Sequence, residues 1–237
     1  MTDKPLSGRL ALVTGASRGI GAATAEALGA AGAHVILTAR TAGGLEEVED
    51  RIHATGGSAT IAPLDLTEND SIARLGAAVG GRWPALDILV LNAAILGTLT
   101  PVPSIEPKEL AQVMTLNLLS QQAMLAAFDP MLRAAEKGRV IGMSSGVATR
   151  PRAYWGAYAA SKAALDTMLL CYADEVANIS PVRVALLNPG ATATRMRARA
   201  FPGEDAGTLK QPSAVAARIL SLLAEDFESG ARVEMPA

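Results

Sequence analysis

Short aliphatic segments alternate with alanine-rich segments along the 237-residue chain. The aliphatic segments are almost continuously apolar, which is typical of strands that helices cover on both faces of a sheet. We place strands at 10–14, 34–38, 59–64, 86–91, 139–143, 182–187 and 231–235. Helical patterns occupy 19–31, 44–55, 68–80, 107–136 with a break, 155–178 and 212–224. This alternation favours a parallel sheet with right-handed crossovers, and we predict an open, doubly wound α/β fold.

The composition excludes several classes of protein. Half of the residues are hydrophobic and 19% are charged, which excludes a disordered chain. No apolar run reaches the roughly 20 residues of a membrane-spanning helix. The net charge of −2 provides no field that would attract nucleic acid or anionic lipid, so we expect neither as a partner. No histidine or cysteine cluster has metal-ligand spacing, and we expect no metal site.

The chain shows no sign of division into parts. It has no internal repeat, low-complexity tract or linker, and we expect residues 1–237 to form one domain. The single cysteine, Cys171, cannot form an internal disulfide, and its position within a helical pattern predicts a buried side chain. Because the first residues also lack the apolar segment of a secretory signal, we expect a cytoplasmic protein.

A glycine-rich segment, Thr14 to Gly21, joins the first predicted strand to the first predicted helix. Gly15, Gly19 and Gly21 allow a sharp turn and a close approach of the backbone to a ligand. The helix that follows offers free N–H groups and the positive end of its dipole to a pyrophosphate. The spacing differs from the common G-x-G-x-x-G fingerprint. Its position nevertheless favours a dinucleotide site, and hence a Rossmann-type doubly wound sheet of about seven parallel strands with helices on both faces.

The end of the second predicted strand bears on the choice of dinucleotide. The segment Ala39–Thr41 lacks the carboxylate that binds the ribose 2′-OH of NAD(H). Arg40, together with Arg18 of the glycine loop, can instead donate bidentate hydrogen bonds to a 2′-phosphate. The alternative is that these arginines are solvated surface residues. We favour NADP(H) as the cofactor and keep NAD(H) as the second possibility.

Tyr158 and Lys162 are four residues apart on a predicted helix, so their side chains share one face. An ammonium group beside a phenol lowers the phenol pKa from about 10 toward neutral pH, as general acid–base chemistry requires. Ser144 and Ser145 follow the fifth predicted strand, where a hydroxyl can hold a substrate carbonyl against the tyrosine. Sheets of this kind bind ligands at the carboxyl ends of their strands, so these residues are candidates for catalysis.

Seven features occur in an order that resembles the short-chain dehydrogenase/reductase family of NAD(P)-dependent oxidoreductases. They are TGASRGIG at 14–21, Asp65, LNAA at 91–94, Asn117, SS at 144–145, YAASK at 158–162 and NPGATAT at 188–194. The resemblance, from about residue 8 to 235, implies that Tyr158 is the acid/base and that Lys162 lowers its pKa and binds the nicotinamide ribose. It also implies that Ser145 orients the substrate, since it precedes the tyrosine by thirteen residues, and that Asn117 holds a water of a proton relay.

The resemblance further implies a set of cofactor-binding residues in the glycine loop, at strand ends and in the segment that covers the nicotinamide. They are Gly15, Ser17, Arg18, Gly19, Ile20, Gly21, Arg40, Asp65, Leu66, Asn92, Ala93, Tyr158, Lys162, Pro189, Gly190 and Thr194. The segment 191–211 corresponds to the substrate lid. Two features depart from the family: Ala94 replaces a usual glycine, and the tail lacks the usual Gly-Gly. The resemblance implies a homo-oligomer, either a tetramer or a dimer.

The leading interpretation is an NADP(H)-dependent oxidoreductase that transfers hydride between the nicotinamide and a small-molecule carbonyl or secondary alcohol. Two alternatives stay open: a 3-oxoacyl-thioester reductase of fatty-acid type, and a non-catalytic nucleotide-binding sensor with the same fold. Arg195, Arg197 and Arg199 either bind an anionic substrate group or form a solvated helix face. The aromatic residues near the expected substrate cleft form either its wall or a subunit contact; they are Tyr154, Trp155 and Phe201.

Overall fold

A parallel sheet forms the centre of the protein. The computed structural model describes residues 4–68, 70–225 and 227–236, so residues 1–3, 69, 226 and 237 of the expected domain lie outside the described residues. The strands are β1 (Leu10–Thr14), β2 (His34–Ala39), β3 (Ser58–Pro63), β4 (Ile88–Leu91), β5 (Arg139–Met143), β6 (Arg183–Asn188) and β7 (Ala231–Glu234). Within the described ranges they form one sheet of seven parallel strands in the order β3-β2-β1-β4-β5-β6-β7. The predicted doubly wound fold is confirmed.

Helices cover both faces of this sheet. They are α1 (Gly19–Ala30), α2 (Ala42–Ala54), α3 (Ser71–Gly80), α4 (Pro107–Met114), α5 (Ser120–Ala134), α6 (Gly146–Thr149), α7 (Gly156–Val176), α8 (Arg195–Ala200) and α9 (Pro212–Ala224). A π-helical turn, Thr115–Leu119, joins α4 to α5 and accounts for the predicted break in the segment 107–136. Proline at the first position starts α4 and α9, because this residue needs no backbone N–H there and its φ already suits a helix.

Alternate residues of the central strands contribute to two separate hydrophobic cores. Leu12 of β1 and Leu89 of β4 pack into one core, whereas Val13 and Val90 pack into the other. All residues of β1, β4 and β5 are buried, while the edge strands β3 and β7 are only partly covered. Burial on both faces explains why the central strands read as continuous apolar segments.

The strand register aligns the carboxyl ends of the central strands. Val13 pairs with Val90, and Val90 pairs with Ile141. The loops that follow β1, β4 and β5 therefore emerge side by side, where the order of strands reverses between β1 and β4. This is the position at which such sheets bind ligands. Across the part of the chain that the structure describes, no helix is both long and apolar enough to span a membrane.

Candidate active site

The glycine loop turns sharply from β1 into α1. Gly15 and Gly19 adopt positive φ angles of 66° and 58°, which favour glycine. Gly21 is restricted for a different reason: a Cβ there would lie 2.2 Å from the Gly15 carbonyl oxygen. The backbone of the loop is thus packed against the first turn of α1, whose free N–H groups form a natural anion site. Ser17 and the N-cap residue Arg18 lead into α1, and Ile20 lies in its first turn.

Asn92 fastens this loop to the end of β4. Its Nδ2 donates hydrogen bonds to the carbonyl oxygens of Thr14 at 2.8 Å and Gly15 at 3.3 Å. The backbone N–H groups of Asn92 and Ala93 donate to the Thr14 hydroxyl at 2.9 and 3.0 Å. A Cβ on Gly15 would approach Asn92 Nδ2 to 3.0 Å, so the two strand ends are in direct contact. Asn92 and Ala93 therefore help to hold the shape of the glycine loop.

A cleft of about 490 Å³ opens beside the glycine loop. The residues that line it from four segments include Ser17, Arg18, Gly19, Thr41, Gly44, Arg51, Arg195 and Pro212. Three arginines and two glutamates, Glu26 and Glu47, line this cleft next to the start of α1. Arg51 pairs with Glu26 at 2.8 Å, whereas Arg18 and Arg195 are exposed. This arrangement suits a ligand that carries phosphate groups.

Asp65 and Leu66 follow β3 at the same edge of the sheet. The Asp65 carboxylate accepts hydrogen bonds from the Thr67 hydroxyl at 2.7 Å and the Thr67 N–H at 2.9 Å. These bonds hold the pKa of Asp65 below its usual value. The charge of Arg40 also lowers this pKa, whereas partial burial of the carboxylate raises it. The exposed Arg40 therefore lies near Asp65, while Leu66 is buried against the core.

Tyr158, Ser145 and Lys162 meet beyond the end of β5. The Tyr158 hydroxyl lies beside the Ser145 side chain, which acts on its pKa, and Tyr158 is 8% exposed. Lys162 lies one turn further along α7, with Nζ 5.9 Å from the centre of the Tyr158 ring. Its Nζ donates to the Met143 carbonyl oxygen at 2.7 Å. Ser144 instead donates to Asp166, so it is Ser145 that the structure brings to the tyrosine.

Burial has opposite consequences for the two titratable side chains of this group. It raises the pKa of Tyr158 to about 12, although the neighbouring Ser145 side chain acts the other way. It lowers the pKa of Lys162 to about 8 against the opposing charge of Asp166. The pKa of Tyr158 is therefore raised rather than lowered in this arrangement, because the cost of burying a phenolate is the larger effect, and the lowering of this pKa by Lys162 stays a prediction. At neutral pH the tyrosine is a protonated acid.

Asn117 lies in the π-helical turn and is fully buried. Its amide accepts a hydrogen bond from the Ile95 N–H at 2.8 Å and donates to the Ile95 carbonyl oxygen at 2.9 Å. It also donates to the Ser161 hydroxyl at 3.0 Å, and that hydroxyl donates to the Tyr158 carbonyl oxygen. Asn117 thus connects the loop after β4 to the backbone of the helix that carries Tyr158.

The segment that follows β6 lies against the glycine loop. Thr194 caps α8 by accepting a hydrogen bond from the Arg197 N–H. The Thr194 Cγ2 atom lies close to Gly19 of the glycine loop, since a Cβ built on Gly19 would be 3.5 Å from it. Gly190 has a φ of 65°. Lys210 Nζ donates to the carbonyl oxygens of Pro189 and Pro236, which ties both ends of the segment 191–211 to the tail of the chain.

The three arginines of this segment have different surroundings. Arg197 forms two hydrogen bonds of 2.6 Å with Glu204 and lies 3.7 Å from the centre of the Phe201 ring. Arg195 lines the cleft beside the glycine loop, and Arg199 is exposed. The Arg197–Glu204 pair agrees with the interpretation of a solvated helix face whose arginines balance nearby acids, whereas Arg195 is the one of the three that borders the cleft, and binding of an anionic group stays a prediction.

Two of the three aromatic residues near Tyr158 form a wall beside it. The Trp155 ring centre lies 6.0 Å from that of Tyr158 and 5.7 Å from that of Phe201. Tyr154 is 59% exposed and adopts a φ of 73°. An apolar surface formed by Trp155 and Phe201 therefore faces the tyrosine.

Sequence reasoning missed one group and misplaced another. The missed group is Asp166, which lies four residues after Lys162, is buried and pairs with Arg232 of β7. Its spacing from Lys162 in YAASKAALD is the signal that could have indicated it. Cys171 is exposed, so its predicted burial is wrong. The helix α7 is rich in apolar and small residues on all sides, which hides its solvent face from sequence analysis. Among the described residues, no three His, Cys, Asp or Glu side chains are grouped as metal ligands.

Comparison with known proteins identifies the family. A family model described as short chain dehydrogenase matches residues 9–205. The chain belongs to the short-chain dehydrogenase/reductase family. This short-chain dehydrogenase is 37% identical over 224 residues to the uncharacterized oxidoreductase YciK of Escherichia coli K12, which covers 93% of this chain and 88% of that protein. The family makes the chain an oxidoreductase.

Solved structures agree with this family membership. A short chain dehydrogenase from Salmonella enterica serovar Typhi matches with a TM-score of 0.93 and 33% identity, over 99% of this chain and 98% of that one. A protein from Escherichia coli CFT073, crystallised in complex with NADPH, matches with a TM-score of 0.93 and 35% identity, over 99% of each chain.

Proposed function

We propose that this short-chain dehydrogenase transfers hydride between NADP(H) and a small-molecule carbonyl or secondary alcohol, with Tyr158 as the acid/base. The observation that carries the proposal is the buried Tyr158 beside Ser145 at the carboxyl edge of the sheet, with Lys162 on the next turn of α7. A hydroxyl, a phenol and an ammonium group at a ligand-binding edge are the groups that carbonyl reduction requires.

Each side chain has a defined task in this reaction, and Lys162 has two. The bound nicotinamide supplies or accepts the hydride. Ser145 holds the substrate oxygen beside the Tyr158 hydroxyl, and Tyr158, protonated at neutral pH, donates its proton to that oxygen. The charge of Lys162 then stabilises the phenolate, and the same ammonium binds the nicotinamide ribose. Asn117 holds the water through which the tyrosine regains its proton.

The residues of the glycine loop fit a dinucleotide. A Cβ at Gly21 would occupy the space between α1 and the loop, and the start of α1 offers its N–H groups to the pyrophosphate. Asp65 and Leu66 bind the adenine side, while Asn92, Ala93, Pro189, Gly190 and Thr194 border the nicotinamide side. The exposed arginines 18 and 40, together with the related protein crystallised with NADPH, favour NADP(H) over NAD(H).

Arg40→Ala is expected to weaken NADPH binding by about 10- to 100-fold and to leave NADH binding unchanged. A guanidinium that binds a 2′-phosphate contributes about 1.5–3 kcal/mol, and NADH lacks that phosphate. Titrations followed by nicotinamide fluorescence give both dissociation constants. Arg82→Ala, which removes an arginine in the connection from α3 to β4, on the side of the sheet where the strands begin, is the matched control. Equal weakening of both cofactors by Arg40→Ala would contradict the assignment.

The substrate class is open to a direct assay. NADPH oxidation is measured with ketones, aldehydes and 3-oxoacyl thioesters of matched chain length. Turnover with simple carbonyls supports the proposal, whereas turnover confined to the thioesters would replace it with a fatty-acid type reductase. Tight NADPH binding without turnover of any carbonyl would instead indicate a nucleotide-binding sensor.

The segment 191–211 is proposed as the lid over the substrate, within one domain formed by residues 1–237.

We also propose that the chain forms a homo-oligomer through α5 and α7, as the family resemblance implies. A groove of about 570 Å³ lies between the π-helical turn and these helices, and its lining residues carry no charge. They are Leu118, Leu119, Gln122, Ala163, Ala164, Thr167 and Met168. Leu119 is 58% exposed, and an apolar face of this kind can pair with its own copy about a two-fold axis.

Leu119→Glu is expected to lower the oligomeric state measured by light scattering. A carboxylate in a two-fold apolar contact is buried opposite its own copy, where like charges repel. Ile179→Glu is the control, because Ile179 is 68% exposed and lies beyond the end of α7. A Leu119→Glu protein with the same mass in solution as the unmodified chain would refute this contact.

A further inference from the structure

A buried carboxylate lies one helical turn beyond Lys162. Tyr158, Lys162 and Asp166 follow one another at intervals of four residues on α7, so their side chains share one face. The Asp166 side chain is 3% exposed. Its Oδ2 accepts a hydrogen bond of 2.8 Å from the Ser144 hydroxyl and one of 2.9 Å from Arg232 of β7. The carboxylate therefore joins the end of β5, the helix α7 and the edge strand β7.

The surroundings of Lys162 show why a nearby negative charge matters for this side chain. Lys162 is 2% exposed, and its Nζ donates to the Met143 carbonyl oxygen, which is a neutral acceptor. Of the two Asp166 oxygens, Oδ1 is buried without a hydrogen-bond partner among the described residues. A buried ammonium group loses its proton readily unless a negative charge lies near it.

We propose that Asp166 is a positioning residue that keeps the buried Lys162 protonated, and that Arg232 limits its effect by partly neutralising the carboxylate. The proposal deepens the proposed function, since the charge of Lys162 matters there for the tyrosine and for the cofactor. Through Arg232, whose side chain is 45% exposed, the edge strand β7 would then influence the protonation of Lys162.

The ionisable and polar groups around Lys162 come from three elements. Tyr158 and Asp166 belong to its own helix, Arg232 comes from β7, and Ser144 and Ser145 come from the end of β5. Burial lowers the pKa of Lys162 to about 8, and Asp166 opposes this shift. Because Tyr158 stays neutral in this range, Asp166 and Arg232 are the charged side chains among these groups besides Lys162 itself, and their charges have opposite signs.

The consequence is a set of opposite effects on one titration. Asp166→Asn removes the negative charge and lowers the pH at which Lys162 loses its proton by about one pH unit or more. Arg232→Gln removes the positive charge and raises that pH. A purely structural role for the pair would not separate the two variants in this way, because both break the same ion pair.

The experiment follows the ionisation of Lys162 by NMR. The full chain has only five lysines, so labelling the lysine side chains with ¹³C at Cε gives few signals, and Lys162→Met identifies the relevant one. The pH titration compares the unmodified protein, Asp166→Asn and Arg232→Gln. Asp174→Asn is the matched control, because it makes the same chemical change at an exposed position of the same helix.

The expected result is a midpoint lower than in the unmodified protein for Asp166→Asn, higher for Arg232→Gln and unchanged for Asp174→Asn. Shifts in the same direction, or none beyond the control, would overturn the proposal. If Asp166→Asn does not fold, Arg232→Gln still decides the question by the sign of its shift. The titration needs no substrate, so its outcome is independent of whether Tyr158 acts as the acid.

Discussion

Tyr158→Phe is expected to lower kcat by about 10²–10⁴-fold, which is the usual contribution of a general acid or base. The change removes one hydroxyl from a ring that is 8% exposed and packs beside Trp155, so the shape of the site is retained. NADPH affinity is expected to stay within a few-fold because Lys162 and the glycine loop are unaltered. Steady-state kinetics and a fluorescence titration measure the two quantities separately.

The control for this variant lies on the same helix. Tyr172→Phe also removes a phenol hydroxyl from α7, but that hydroxyl donates to Asp129 at 2.7 Å, away from Ser145 and Lys162. It is expected to cost about 1 kcal/mol of stability and to leave kcat unchanged. Near-normal turnover by Tyr158→Phe would show that another group supplies the proton.

Gly21→Ala is expected to disrupt the glycine loop and to weaken NADPH binding by about 100-fold or more. Its Cβ would lie 2.2 Å from the Gly15 carbonyl oxygen and 2.6 Å from Asn92 Nδ2, so the backbone of the loop must move. Overpacking of this kind costs about 1–3 kcal/mol, or roughly 2–4 °C in Tm for each kcal/mol. A cofactor titration and thermal unfolding report the two effects.

Gly43→Ala is the matched substitution outside the loop. Gly43 lies in the first turn of α2, and a Cβ there would have no atom within 4 Å. Alanine favours a helix over glycine by about 0.5–1 kcal/mol, so this variant is expected to be as stable as the unmodified protein or more stable. If Gly21→Ala behaved like Gly43→Ala, the glycine loop would not form the cofactor site.

The strands of the sheet could be predicted because burial on both faces makes the central strands continuous apolar segments of the sequence. Each of the strands β1 to β7 coincides with a predicted aliphatic segment to within two residues at either end. The candidate catalytic residues could be placed on this fold in the same way, since Ser144 and Ser145 follow a predicted strand and the segment 158–162 lies on a predicted helix. Local patterns were thus sufficient for the fold, whereas the roles of the candidate residues came from the family resemblance and stay predictions.

The interactions between distant residues were not predictable in this way. Asp166 and Arg232 are 66 residues apart, and no local pattern relates an acid on α7 to an arginine on an edge strand. The direction of the Tyr158 pKa shift depends on how deeply the ring is buried, which one helix cannot reveal. The exposure of Cys171 likewise depends on which face of α7 the sheet covers.

The most direct test of hydride transfer uses NADPH deuterated at C4 of the nicotinamide on the face from which the hydride leaves. The protein is incubated with a panel of carbonyl compounds, and mass spectrometry measures deuterium in each alcohol product. We expect one deuterium at the former carbonyl carbon with the unmodified protein, and a far lower rate with Tyr158→Phe. Binding of NADPH without label in any alcohol, with either face deuterated, would contradict the account.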